Sequence, residues 1–129
     1  MSSFSDYAEN AVLNHVFRNV ALTSPTTVYL SLHTTPGPSD AGSANEITAV
    51  GNYVRMAVTF GAPAAGVITN SVAVSWTNTG TNYGTIVSVG IWDALSGGNM
   101  LAWDGITSAA LTINDVLNFN IGQISVSLT

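Results

Sequence analysis

A chain of 129 residues with two arginines, no lysine and seven acids, for a formal net charge of −5, lacks the basic footprint that displaces counterions from a nucleic acid or grips an anionic membrane. It has no cysteine, hence no disulfide framework and no thiolate metal site, and its 7% of charged residues compares with about 25% in an average soluble domain. Such a surface of Ser, Thr, Asn, Gly and aliphatics suits a protein that works in an assembly, or a small extracellular β domain solubilised by hydroxyls.

The length predicts one domain, 1–129, with a helix over about 4–19 and a β-sandwich over about 26–129. From Phe4 to Val20 the residues Phe4, Tyr7, Ala8, Ala11, Val12, Val16 and Phe17 recur at three- and four-residue spacing, which defines an amphipathic helix. Ser3 or Asp6 is the expected N-cap, each with an acid three residues on, and Arg18 falls at the negative end of the helix dipole. Asp6 and Glu9 stand where a signal peptide would be basic, and no apolar run reaches the ~18 residues of a membrane span, so neither export nor insertion is expected. Release by lysis fits that absence.

Pro25 ends the helical region, and Val28, Leu30 and Leu32 alternate with Tyr29, Ser31 and His33 in a half-buried strand. Thr35 to Gly51 reads as a long loop. Tyr53 to Phe60 alternates again, with Val54, Met56, Val58 and Phe60 predicted to face inward. Short strands follow at Val67 to Thr69 and Val72 to Trp76, broken near Asn70, and Thr77 to Gly84 is a polar loop. Thr85 to Trp92 is apolar on both faces, which places it mid-sheet. Ser96-Gly97-Gly98-Asn99 is a hairpin signal before Met100 to Trp103, and Ile106 to Ile113 reads as a separate strand. After the Asn114-Asp115 turn, Val116 to Ile121 and Gln123 to Leu128 complete the pattern. Seven to nine short strands at intervals of about ten residues predict a mainly β fold, an antiparallel β-sandwich or jelly-roll-like barrel with one N-terminal amphipathic α-helix.

Catalysis finds little foothold. No metal site is expected from His15 and His33, which lack an HxH or HxxxH spacing, and no cofactor motif opens a helix. There is no G-x-S-x-G elbow, and Asp93, which could pair with Asp104 as glycosidase carboxylates do, is better read as a turn residue bonding its own backbone. Trp76 shares a face with Val72 and Val74 and is read as core. Tyr83 and Trp92 are the predicted exposed rings, and they are the candidate contacts for a glycan or partner.

The blocks Tyr7-Ala8-Glu9-Asn10-Ala11, Leu13-Asn14-His15-Val16-Phe17-Arg18 and Thr23-Ser24-Pro25 ahead of Val28-Tyr29-Leu30 resemble a family of short bacteriophage virion proteins labelled tail-fibre-like. Pro38-Ser39-Asp40, Tyr53-Val54-Arg55, Val58-Thr59-Phe60, Gly90-Ile91-Trp92-Asp93, Gly97-Gly98-Asn99 and Val116 to Phe119 extend the resemblance over nearly the full length. It implies a non-enzymatic structural component of the virion, with no catalytic residue to carry over, assembled in the host cytoplasm. Two roles fit a compact chain without a fibre shaft. One is a tail appendage that contacts host surface glycans, and the other is a decoration or cement protein between major capsid subunits. A free-standing lectin is a third reading. Virion positions are commonly filled by cyclic assemblies, so a homotrimer is expected, in contact with major capsid or tail proteins. Phe4, Tyr7, Ala11, His15 and Arg18 on the helix are the candidate subunit or virion contacts, against the alternative that the helix caps its own sandwich.

Overall fold

A computed structural model describes residues 3–36, 45–47 and 51–128. In chain order these form β1 (Ser3–Phe4), α1 (Asp6–Arg18), β2 (Val28–His33), β3 (Met56–Val58), β4 (Val67–Thr69) and β5 (Val74–Thr77). Then come β6 (Gly84–Trp92), β7 (Met100–Leu111), β8 (Val116–Phe119) and β9 (Ser125–Ser127). The fold is mainly β and antiparallel with one N-terminal helix, as the periodicity predicts.

One sheet has the order β1-β7-β6-β2-β3, with β6 at its centre. The expected mid-sheet placement follows from burial on both sides, since Ser88 to Trp92 are all buried. Opposite lie two short pairs, β4-β9 and β5-β8. Thr69 pairs with Ser125 and Val74 with Phe119, so the two pairs follow one another along one antiparallel ribbon with a one-residue shift of register, interrupted around Asn70 and Asn120. Between the layers a single cluster joins Leu30, Leu32, Ile86, Val89 and Ile91 of the large sheet to Val74, Trp76 and Ile124 of the ribbon side. Trp76 is core, as expected; its ring meets Phe119 edge-on and its Nε1 donates to the Val54 carbonyl at 2.8 Å.

Two asparagines knit the ribbon. Asn70 is buried; its amide nitrogen donates to the carbonyls of Val72 and Asn120, and its Oδ1 accepts from the Ile124 amide. Asn78, also buried, donates to the Leu111 carbonyl and takes the Gly80 amide on Oδ1, while its backbone carbonyl receives Asn114. Each therefore supplies the bonds that an interrupted ladder cannot. At the Asn114-Asp115 turn, Asn114 is left-handed, and hydrogen bonds from the Thr112 hydroxyl and amide hold the Asp115 carboxyl below its ordinary value.

Several boundaries differ from expectation. The helix covers 6–18 rather than 4–19, because Ser3 and Phe4 pair with Trp103 and Ala102 as a strand. The N-cap is accordingly Ser5, neither Ser3 nor Asp6: its Oγ accepts from the Ala8 amide at 3.2 Å and donates to the Met100 carbonyl. Asp6 and Glu9 in the first turn and Arg18 in the last do match the dipole. The predicted strand 53–60 shrinks to Met56–Val58, with Val54 exposed, since only those three residues pair with β2. Met100 to Leu111 is one strand rather than two, with two irregularities: Ile106–Ser108 oppose Val87 between paired Gly105 and Ala109, and Leu101 is extra between Met100 and Ala102, which pair with Trp92 and Ile91.

The hairpin between β6 and β7 forms as expected. Gly97 and Gly98 both have positive φ, and a Cβ on Gly98 would stand 2.3 Å from Asp93 Oδ1, so no side chain fits there. Asp93 takes the Asn99 amide on Oδ1 and its side-chain amide on Oδ2, the turn role read from sequence. Of the predicted loop 35–51, residues 37–44 and 48–50 lie outside the described residues; 45–47 run beside β2, where Glu46 bridges His33 and the Ile47 amide bonds the Leu32 carbonyl.

Candidate functional site

The helix lobe holds Phe4, Tyr7, Ala11, His15 and Arg18, the outer face of the large sheet holds Trp92, and Tyr83 lies in the core cluster. Alternation along β2 and β6 sends Leu30, Leu32, Val89 and Ile91 into the core and turns Ser31, His33, Ser88, Gly90 and Trp92 to the other side. That other side is nonetheless buried. Arg55 lies over the Trp92 ring, 3.8 Å from its centroid, and meets Glu46 through two bonds of 2.8 Å. Its third nitrogen donates to the Ala94 and Gly97 carbonyls, tying the ion pair to the β6–β7 hairpin. Tyr53 donates to Glu46 Oε1 at 3.2 Å and accepts the Leu32 amide. Burial pushes its phenol well above the ordinary value.

Beneath this lid Trp92 Nε1 donates to Ser31 Oγ at 2.7 Å, and Ser31 Oγ lies 2.7 Å from His33 Nε2. A serine and histidine at that distance have the spacing of a nucleophile and its base. Both are wholly buried, so the pair is an internal bond that no substrate reaches. Gly90 makes room for it: a Cβ there would stand 2.9 Å from Ser31 Oγ and 3.1 Å from both His33 Nε2 and Trp92 Nε1.

The exposed rings expected at Tyr83 and Trp92 are therefore absent. Tyr83 is 4% and Trp92 3% exposed. Tyr83 meets Tyr53 edge to face at 5.7 Å and donates to Asn52 Oδ1 at 2.6 Å, and burial raises its phenol as well. Trp92 is covered because the β3 side supplies Arg55, whose partner Glu46 arrives from nine residues earlier. Neither ring offers a face to a sugar.

The helix presents the opposite picture. Ala8 is its one buried residue, with Ala11 and Val12 half-covered, and the remaining apolar side chains point outward. Phe17 is 78% exposed, and Leu13, Val16 and Val20 are also exposed. Between α1 and the strand of chain at Leu22 to Pro25 runs a groove of about 450 Å³, lined by Phe4, Tyr7, Ala11, Leu22, Pro25 and Leu101. The structure thus brings together Phe4, Tyr7 and Ala11 from the sequence-derived set. His15 and Arg18 lie apart on the last turn, where His15 Nδ1 is 3.2 Å from the Val20 carbonyl and Arg18 donates to Asn14 Oδ1. Leu13 and Leu22 are exposed apolar residues outside the candidate set; Leu13 lies next to Val16 and Phe17 on the helix, a signal the sequence offers, whereas Leu22 lies beyond the helix and carries none. No group of three or more potential metal ligands occurs among the described residues.

Against known proteins, no curated protein matches the chain. The family described as podophage GP4 fiber I protein gp80 matches it over residues 3–127.

Proposed function

Because the chain belongs to the podophage GP4 fiber I protein gp80 family, and so is a phage fibre structural protein and a virion component, we propose that it is a non-enzymatic fibre piece seated on a neighbouring virion protein through its helix lobe. The observation that carries this reading is the exposed set Leu13, Val16 and Phe17 on the helix whose other face lines the groove toward Leu22 to Pro25. A helix that covers its own sandwich buries its apolar stripe; this one buries Ala8, half-covers Ala11 and Val12, and leaves Leu13, Val16 and Phe17 to another surface. The partner is a tail protein, in keeping with the family description, and the protein functions as a symmetric oligomer, a trimer in the simplest case. The glycan-contact alternative loses its support with the burial of Tyr83 and Trp92.

The test is to make particles carrying Leu13→Asp/Phe17→Asp and to locate the protein by labelled electron microscopy. The expected result is label at the tail for the parent and loss of the variant from purified particles, although the variant protein folds. Label spread over the capsid lattice, with heads that become fragile without the protein, would replace this reading with the decoration role. Undiminished incorporation of the variant would remove the helix lobe as the seat.

A further inference from the structure

The nine charged side chains are unevenly spread. None occurs between Arg55 and Asp93, and none follows Asp115. Those two stretches contain all of β4, β5, β8 and β9, so the whole ribbon is free of ionisable charge while the molecule carries −5. Its flanking acids are Asp115, at the turn leading into β8, and Asp104, beside the small crevice that separates β7 from Gln123 to Ser125. On the outer side of the ribbon Ser75, Thr77 and Asn118 are exposed, and with them the aliphatics Val72, Val116, Ile121 and Leu128. Ile121 is 68% exposed.

A second observation falls on the same limb. Among the described residues β8 pairs with β5 alone, so the far side of Val116–Phe119 carries no ladder. Proteins ordinarily blunt such an edge with Lys, Pro or an inward charge. From Val116 to Leu128 this chain has none of these. The edge at β8 is undefended.

We infer that the uncharged ribbon, with β8 at its edge, is the surface through which copies of this chain associate with one another. The occupant follows from the charge. Two molecules that each carry −5 repel wherever their acids approach, and the ribbon is the region where two copies meet without opposing charges. A partner of different composition would leave complementary charges to steer and orient it, and the ribbon has none to offer. Exposed aliphatics among Ser, Thr and Asn, together with open backbone groups, supply the apolar and hydrogen-bonding parts of such a contact. This rests on the reading of the protein as a symmetric oligomer and adds the surface that joins the copies; it is separate from the seating of the helix lobe, which joins the assembly to the virion.

The full-length chain is tested by light scattering after size exclusion and by sedimentation, with Val116→Lys/Ile121→Lys and, as a milder variant, Asn118→Lys. Both change exposed positions, and circular dichroism with thermal melting checks their folding. The expected result is a parent mass that is a defined multiple of 13.3 kDa at tens of micromolar, and a fall to the single-chain mass in the variants. The parent's dissociation constant should hold or fall as salt rises, since salt screens the net repulsion and there are no attractive charges to weaken. A parent at the single-chain mass overturns the inference. So does an oligomer that survives folded Asn118→Lys and Val116→Lys/Ile121→Lys, or one that only Leu13→Asp/Phe17→Asp disperses. If the double variant does not fold, Asn118→Lys alone decides. Particle incorporation reads the helix lobe independently, so either surface can fail without the other.

Discussion

Arg55 and Glu46 have side chains 6% and 7% exposed, so each charge is held where water cannot solvate it and depends on the other. Replacing Arg55 by Met leaves Glu46 buried alone and should cost about 3–5 kcal/mol, read from urea unfolding. The double replacement Arg55→Met/Glu46→Met should recover most of that loss, because it removes both desolvated charges; a double variant as unstable as the single one would mean that the pair matters through packing on Trp92 instead. Tyr53 adds a pH dependence. Its folded value is raised above the ordinary phenol value of 10.0, so its contribution is complete below that pH and is lost as pH rises towards the folded value. Tyr53→Phe should therefore flatten the decline in melting temperature above pH 10, and an unchanged decline would place the alkaline sensitivity elsewhere. Gly90→Ala should destabilise by about 1–3 kcal/mol through overpacking against Ser31, His33 and Trp92. Little of this network was legible in the sequence. Alternation tells which side of their strands Ser31, His33 and Arg55 occupy, but not that this side is covered; Trp92 is expected exposed although its strand is apolar on both faces, and the pairing of Arg55 with Glu46 depends on a chain path that periodicity does not encode.

At the level of elements, α1 is the part that sequence reading described best and bounded least well. The three- and four-residue spacing gave the helix and its dipole-matched ends; the capping residue was missed because the two-residue β1 strand ahead of it exists through pairing with β7, some hundred positions away. Ser5→Ala removes the bond to the Ala8 amide and should cost about 0.5–2 kcal/mol. At least that much is expected, because the Met100 carbonyl also loses its donor. Phe17→Asp, by contrast, alters a side chain that touches little of its own fold and should leave thermal stability within about 0.5 kcal/mol. A larger loss would show that Phe17 packs at home and would weaken the case for the helix lobe as a seat. The same contrast explains why amphipathicity alone did not reveal the helix's orientation: a stripe records that something apolar is needed, not whether it belongs to the same chain.

Across the molecule, the central position of β6 follows from residue pattern, since a strand apolar on both faces belongs inside a sheet. The ribbon does not. Its interruption reads as the ends of strands, and Asn70, whose side-chain bonds carry the chain across it, looks in sequence like an ordinary loop asparagine, as does Asn78 at the end of β5. Asn70→Ala should cost at least about 1–3 kcal/mol, by leaving the Ile124 amide and the Val72 and Asn120 carbonyls without their partner, and the loss should appear in the single cooperative unfolding transition.

The bond from Ser5 to the Met100 carbonyl also sets an order in time. A thirteen-residue helix is marginal in water by itself, and the platform that fixes this one is translated 95 positions later. α1 is thus made well before the strand that holds it, and the helix lobe is completed only on a chain already long enough to have formed β6 and begun β7. A prematurely ended product stopping before Met100 would lack the platform for the lobe, so selection of finished subunits can be made by the geometry of docking alone, without any separate inspecting factor.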